Sequence, residues 1–180
     1  EGSAMSAGVE AKLTVQGGSP EILVNMTGEK ILDANLRWLG PPKFNAEEQA
    51  FAKAIQKETG VKEVGLSEKI NDLNLHPGEP EGGSTDVADV SWVIPIIHLS
   101  VTTAAADAPW HAWPVVATGG MSIGHKGMMY ASKALAATMI DLYQDPKKVE
   151  AVKKEFAQKK GDVVYKGYIP DGPPKALNNK

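Results

Sequence analysis

The chain holds four histidines, His76, His98, His111 and His125, and no cysteine. Any transition-metal site must therefore rest on imidazole and carboxylate, because thiolate ligands are missing. His111 stands in Pro109-Trp110-His111-Ala112-Trp113-Pro114, directly behind an apolar run. Open α/β sheets place their ligand sites beyond the carboxyl ends of strands, so His111 is a candidate ligand; a packed aromatic turn is the competing reading. His98 falls inside the apolar run and reads as a hydrogen-bonded core histidine, and His76, before Pro77-Gly78, as a solvated turn residue. His125 lies in Gly119-Gly120-Met121-Ser122-Ile123-Gly124-His125-Lys126-Gly127, which brings glycines to a helix entrance. Unpaired N–H groups there attract anions and Lys126 adds charge, yet the spacing matches no phosphate loop. His125 thus either binds substrate or caps. A third candidate is Gly82-Gly83-Ser84-Thr85-Asp86, where glycines permit close backbone approach and the hydroxyls and carboxylate offer polar groups. A plain turn with Asp86 capping a helix is the alternative. No Ser/His/Asp order or paired-histidine helix motif emerges.

The elements that must position these groups follow from periodicity. Residues 9–15 alternate apolar and polar, the pattern of a half-buried strand, and Gly17-Gly18-Ser19-Pro20 ends it. Thr27 can cap a helix with Ile31, Leu32, Leu36 and Leu39 on one face, stopped by Gly40-Pro41-Pro42. Asn45 with Glu48 makes a capping-box start for a second helix ended by Gly60. Residues 67–84, rich in Asn, Asp, Gly, Pro and Glu, predict a surface loop. Residues 92–101 are apolar at both alternating sets of positions, as in a strand of a mainly parallel sheet covered on both faces. Ser122 can cap a long helix carrying Met128, Ala131, Leu135, Met139 and Leu142, and Asp145-Pro146 starts another with Val149, Val152 and Phe156. The tail after Gly161 reads as extended. Strands interleaved with helices point to an α/β domain, with the first 25 or so residues in a different, antiparallel unit.

Composition bounds the function. At 180 residues, 42% hydrophobic and 23% charged, the chain has the make-up of a globular protein able to bury a core. A net charge of -3 generates no field that would suggest nucleic acid as partner. No run nears the roughly 18 apolar residues of a bilayer span, so no membrane role is expected. Without disulfides the cytoplasm fits, and so would the periplasm. The first residues carry neither a signal sequence nor an initiator Met and read like the middle of a longer protein.

Taken together, Gly82 to Trp92, Pro109 to Trp113 and Ser122 to Met129 resemble the C-terminal blocks of zinc-dependent amidohydrolases of the aminoacylase/carboxypeptidase metallopeptidase superfamily, in its aminobenzoyl-glutamate hydrolase branch. Supporting blocks, Gly2 to Gly8, Val24-Asn25, Leu39 to Phe44 and Ile169 to Gly172, occur in the expected order. The resemblance covers nearly all of the chain and only the last part of a family protein more than twice as long. It implies a two-zinc exopeptidase-like α/β catalytic domain with a mainly parallel sheet, entered at about residue 26 and running to 180. Residues 1–25 would be the end of an α+β lid that mediates dimerisation. It further implies hydrolysis of an aroyl- or acyl-glutamate or a related N-acyl amino acid, with two Zn per complete site, Mn or Co being able to replace them. Of the metal ligands only the last histidine would lie here, and His111 takes that place. Gly83, Ser84, Thr85 and Asp86, with His125, would receive substrate. The general-base Glu belongs to the half not present, so no catalytic residue is expected in this segment, and the chain alone should be inactive. The implied partners are the N-terminal half of the same enzyme and a second copy through the lid. The pattern departs from the wider superfamily at Thr85-Asp86, where many members have Glu-Asp. The alternative is a non-catalytic subunit that lends a pocket wall and lid to a partner.

Overall fold

A computed structural model describes residues 2–13, 17–74, 83–169 and 172. His76, Gly82 and the end of the expected 9–15 strand fall outside them. Among the described residues seven helices follow one another: α1 (Gly2–Ser6), α2 (Met26–Leu39), α3 (Ala46–Thr59), α4 (Val87–Ser91), α5 (Trp113–Gly119), α6 (Ser122–Gln144) and α7 (Pro146–Lys160). Among the described residues no helix is long and apolar enough to cross a membrane.

The mainly parallel sheet and the α/β class are overturned: the described residues are 53% helix with no strand, a mostly α arrangement. Residues 9–13 form no strand, and 92–94 continue as a turn behind α4 before residues 95–103 run without regular structure. A β-rich pattern becomes a strand only when a neighbouring backbone completes its ladder. No described segment does so.

Local chemistry explains the helices. Asn25, not Thr27, caps α2, its side chain accepting the Gly28 N–H. Asn45 and Glu48 close the expected capping box on α3, and Gly60 ends that helix at a φ of 71° that favours glycine. Asp145 accepts the Lys147 N–H, with Pro146 leading α7. At α6 the expected cap Ser122 is the first helical residue, and Met121 precedes it without a side-chain cap.

α2 packs on α6 and α7, and α5 on α6. The core is small: Ala52, Ile55 and Leu66 meet Ala105, Ala108 and Ile123, with Phe44, Ala117 and Met121 at its edge. Buried polar side chains tie the elements together. Asn25 donates to the Val152 carbonyl of α7 at 2.9 Å. Glu155 of α7 accepts the Met26 and Thr27 N–H groups at 3.0 and 2.6 Å, completing the N-terminus of α2 from outside. Asn35 of α2 reaches Asp141 of α6 at 3.0 Å.

At Gly124 the packing leaves no room, since an added Cβ would run into the Gly119 carbonyl group and lie 2.8 Å from its Cα. Backbone cannot swing aside as a flexible side chain can. Gly124→Ala should therefore separate α5 from α6 and cost roughly 2–3 kcal/mol, visible as a lower midpoint in urea unfolding. By contrast α6 leaves much of its apolar surface bare: Met128, Met129, Leu135, Met139 and Ile140 are exposed and Tyr143 is 84% so. Val93 and Ile94 are also exposed, so the 92–101 run is not covered on both faces as its composition suggests.

Candidate functional site

Gly83, Ser84, Thr85 and Asp86 are all exposed. Gly83 has a φ of 139°, a value open to glycine. The Thr85 hydroxyl accepts the Val87 N–H at 3.3 Å, and Asp86 occupies the cap position of α4 without a side-chain cap bond. The plain-turn reading thus holds in position but not in hydrogen bonding, and the Asp86 carboxylate points no bond into its own helix.

His111 lies in the turn that leads into α5, behind an extended run and not a strand, and its side chain is exposed. Its φ is 58°, in the left-handed region that His, Asn and Asp visit more readily than bulkier residues; Asp107 shares it at 57°. The aromatic neighbours do not pack into a core, with Trp110 67% and Trp113 53% exposed. The packed-turn alternative for His111 is therefore not what forms. Pro114 is buried in the first turn of α5 and fixes where the turn ends.

His125 is exposed in the first turn of α6, its N–H donating to Met121. Lys126, read from the sequence as a positive charge free for an anion, is already engaged. Its ammonium lies 2.6 Å from Oε2 of Glu48, a residue only 3% exposed, and 5.8 Å from the centre of the Phe44 ring. Burial alone would raise the Glu48 pKa, but Lys126, the Ser122 hydroxyl and the Asn45 N–H outweigh it and hold it at about 2. Glu155 behaves alike: Lys159, Thr27 and the α2 N–H groups overcome burial and bring it to about 2. For a carboxylate depressed below an unfolded value of 4.5, the stabilisation is complete above pH 4.5 and disappears as pH falls towards 2. The α2–α7 and α3–α6 contacts should thus loosen together in that window. Glu48→Gln with Glu155→Gln should flatten the acid limb of a stability-against-pH curve measured by circular dichroism.

His98 is not a core residue. It is exposed, and its backbone N–H donates to the Glu29 carboxylate at 2.8 Å. Sequence reasoning missed the cavity beside it, about 440 Å³ in volume, walled by Leu32 and Leu36 of α2, residues 67 and 69–74, residues 98–107, Trp110 and Tyr130. Glu29 at its edge has its pKa raised by burial, which the His98 N–H only partly offsets. No motif marks this cavity, because its walls come from segments far apart in sequence. Neither His111, His125 nor Gly83 to Asp86 lines it or any other described cavity. Among the described residues no three His, Asp or Glu side chains gather closely enough to hold a metal ion. The described residues do not fit a resident zinc by themselves, and among them His111 is exposed and bonded to no other side chain.

No family model matches the chain, and no solved structure does. The chain is similar to a p-aminobenzoyl-glutamate hydrolase subunit of Escherichia coli (strain K12), at 29% identity over 182 residues. That match takes in 88% of this chain and 38% of the relative, so the chain spans less than half the length of the curated protein that it resembles.

Proposed function

We propose, taking the similarity to a p-aminobenzoyl-glutamate hydrolase subunit as premise, that this chain is part of a metal-dependent amidohydrolase that cleaves aminobenzoyl-glutamate or a related N-acyl amino acid. The reading is carried by that single observation. It is supported by the blocks around Thr85-Asp86, His111 and His125, which lie in the order of the resembling family. In this reading residues 1–25 end a lid domain and residues 26–180 belong to the catalytic domain. His111 supplies one metal ligand, while Gly83, Ser84, Thr85 and Asp86 with His125 form a wall that receives the substrate. The metal, zinc in this reading with manganese or cobalt as substitutes, takes its other ligands from the remaining polypeptide. No step of hydrolysis is assigned to the carboxylates of this chain, because among the described residues no three His, Asp or Glu side chains gather into a group that could hold a metal.

The dispersal of His, Asp and Glu among the described residues also favours a division of labour in which the isolated chain is silent and a protein partner completes the site. Release of p-aminobenzoate from p-aminobenzoyl-glutamate tests the reading, measured on the complete assembly containing this chain. Hydrolysis that chelation removes and zinc restores would support it; hydrolysis indifferent to chelation would refute the metal dependence.

A further inference from the structure

We infer that the bare apolar face of α6 is the surface on which the part of the hydrolase outside this chain docks. The inference rests on the hydrolase reading and names where the polypeptide that completes the site is held. α6 turns Ile123, Gly127, Ala134 and Thr138 inward, on the side where α2, α5 and α7 pack. Its other side carries Met128, Met129, Leu135, Met139, Ile140 and Tyr143, from 40% to 84% exposed. Recurring at helical spacing, these six share one broad stripe. Ser132 and Ala136 fill its middle, and the one charge beside it is Lys133, at an edge. With about 200 Å² for each large side chain, the exposed fractions amount to roughly 700 Å². That exceeds the about 300–600 Å² of the largest apolar patch on a typical monomer and approaches the roughly 800 Å² each partner gives to a stable interface.

The size of the relative and the symmetry of the stripe decide between occupants. The match takes in 38% of the related subunit, so more than half of that protein has no counterpart here. Polypeptide of that extent can cover a stripe that the helices of this chain leave open. A second copy fits less well. An antiparallel copy, related by a twofold axis through the middle of the stripe, sets Lys133 against Lys133, and a parallel copy sets like helix ends side by side. The occupant accordingly presents an apolar face with a carboxylate opposite Lys133. His125, also exposed, stands one turn before Met128 and Met129 on the same face. Docking on the stripe therefore brings side chains of the second polypeptide up to a residue that the hydrolase reading gives to substrate.

The chain has no cysteine, so one introduced thiol is unique within it. Met139→Cys and Met128→Cys, at two places on the stripe, are treated with a maleimide in the purified chain and in the complete assembly. Label on this chain is read by intact mass. Both positions should react readily in the purified chain and at least tenfold more slowly in the assembly. Gln158→Cys, exposed on α7, should react alike in both. An unchanged rate at either stripe position overturns the inference, and so does equal slowing at all three positions. Protection in the purified chain that grows with its concentration would seat a second copy on the stripe and also overturn it. The labelling rates do not depend on turnover. Protection in an assembly whose hydrolysis ignores chelation leaves the docking face standing and sinks the metal reading; absent protection in an assembly with zinc-dependent hydrolysis does the reverse.

Discussion

His111→Ala, made in a complete and active assembly, should lower turnover of p-aminobenzoyl-glutamate roughly a hundredfold or more and weaken the retention of one metal equivalent. A catalytic zinc held by three protein ligands loses its geometry when one is removed, so metal content and rate should fall together. Stability should hardly change, because the His111 side chain is exposed and, among the described residues, makes no hydrogen bond whose loss would cost the fold anything. The residue also sits at a positive φ that Ala tolerates less well, so His111→Asn, which favours that backbone region, is the control. It should lose metal and activity as Ala does. Elemental analysis after gel filtration, alongside steady-state rates, reads both effects. Unchanged metal content and turnover would shift the ligand role to His125.

Gln56→Ala should be the most damaging stability change in the helical scaffold, about 3–4 kcal/mol. Gln56 is fully buried on α3. Its amide accepts the Gly65 N–H at 2.7 Å and donates to the Ala106 and Gly65 carbonyls at 2.8 and 3.2 Å. One side chain therefore satisfies backbone at Gly65 and at Ala106, in two segments far apart in sequence. Truncation removes three bonds, leaves the Gly65 N–H and the Ala106 carbonyl without that partner, and opens a void on the buried side of α3 near Ile55. Gln56→Met keeps most of the volume but removes the hydrogen bonds, and should cost less than Ala while still destabilising, because no void opens. Thermal unfolding of the three chains, followed at a helix wavelength, orders them as wild type, Gln56→Met, Gln56→Ala.

What the sequence makes legible is largely local. The capping box of Asn45 and Glu48, the stop at Gly60 and the Asp145-Pro146 start are set by contacts within four residues, and they form as the pattern requires. Where two caps compete, local rules are not enough: Asn25 takes the cap that the pattern gives to Thr27, because its amide also reaches Val152 more than a hundred residues away. The strand expected at residues 92–101 is the largest departure. Its apolar composition is real, but a strand depends on a neighbouring edge, and the described chain contains none in register. Lys126 departs from expectation for a related reason, since its partner Glu48 lies on a different helix and no spacing announces the pair. The candidate site is legible only as types of residue. Which of them share a surface depends on long-range packing, and the cavity near Trp110 and His98 draws on distant segments that no motif connects.

The central claim, that this chain contributes one ligand and a pocket wall to a hydrolase completed by other polypeptide, is tested most directly by zinc titration of the purified chain alone. Hydrolysis of p-aminobenzoyl-glutamate is followed in the same cell. The account predicts no tight stoichiometric zinc uptake and no turnover, both appearing only in the complete assembly. Stoichiometric zinc binding with chelator-sensitive hydrolysis by the isolated 180-residue chain would contradict it.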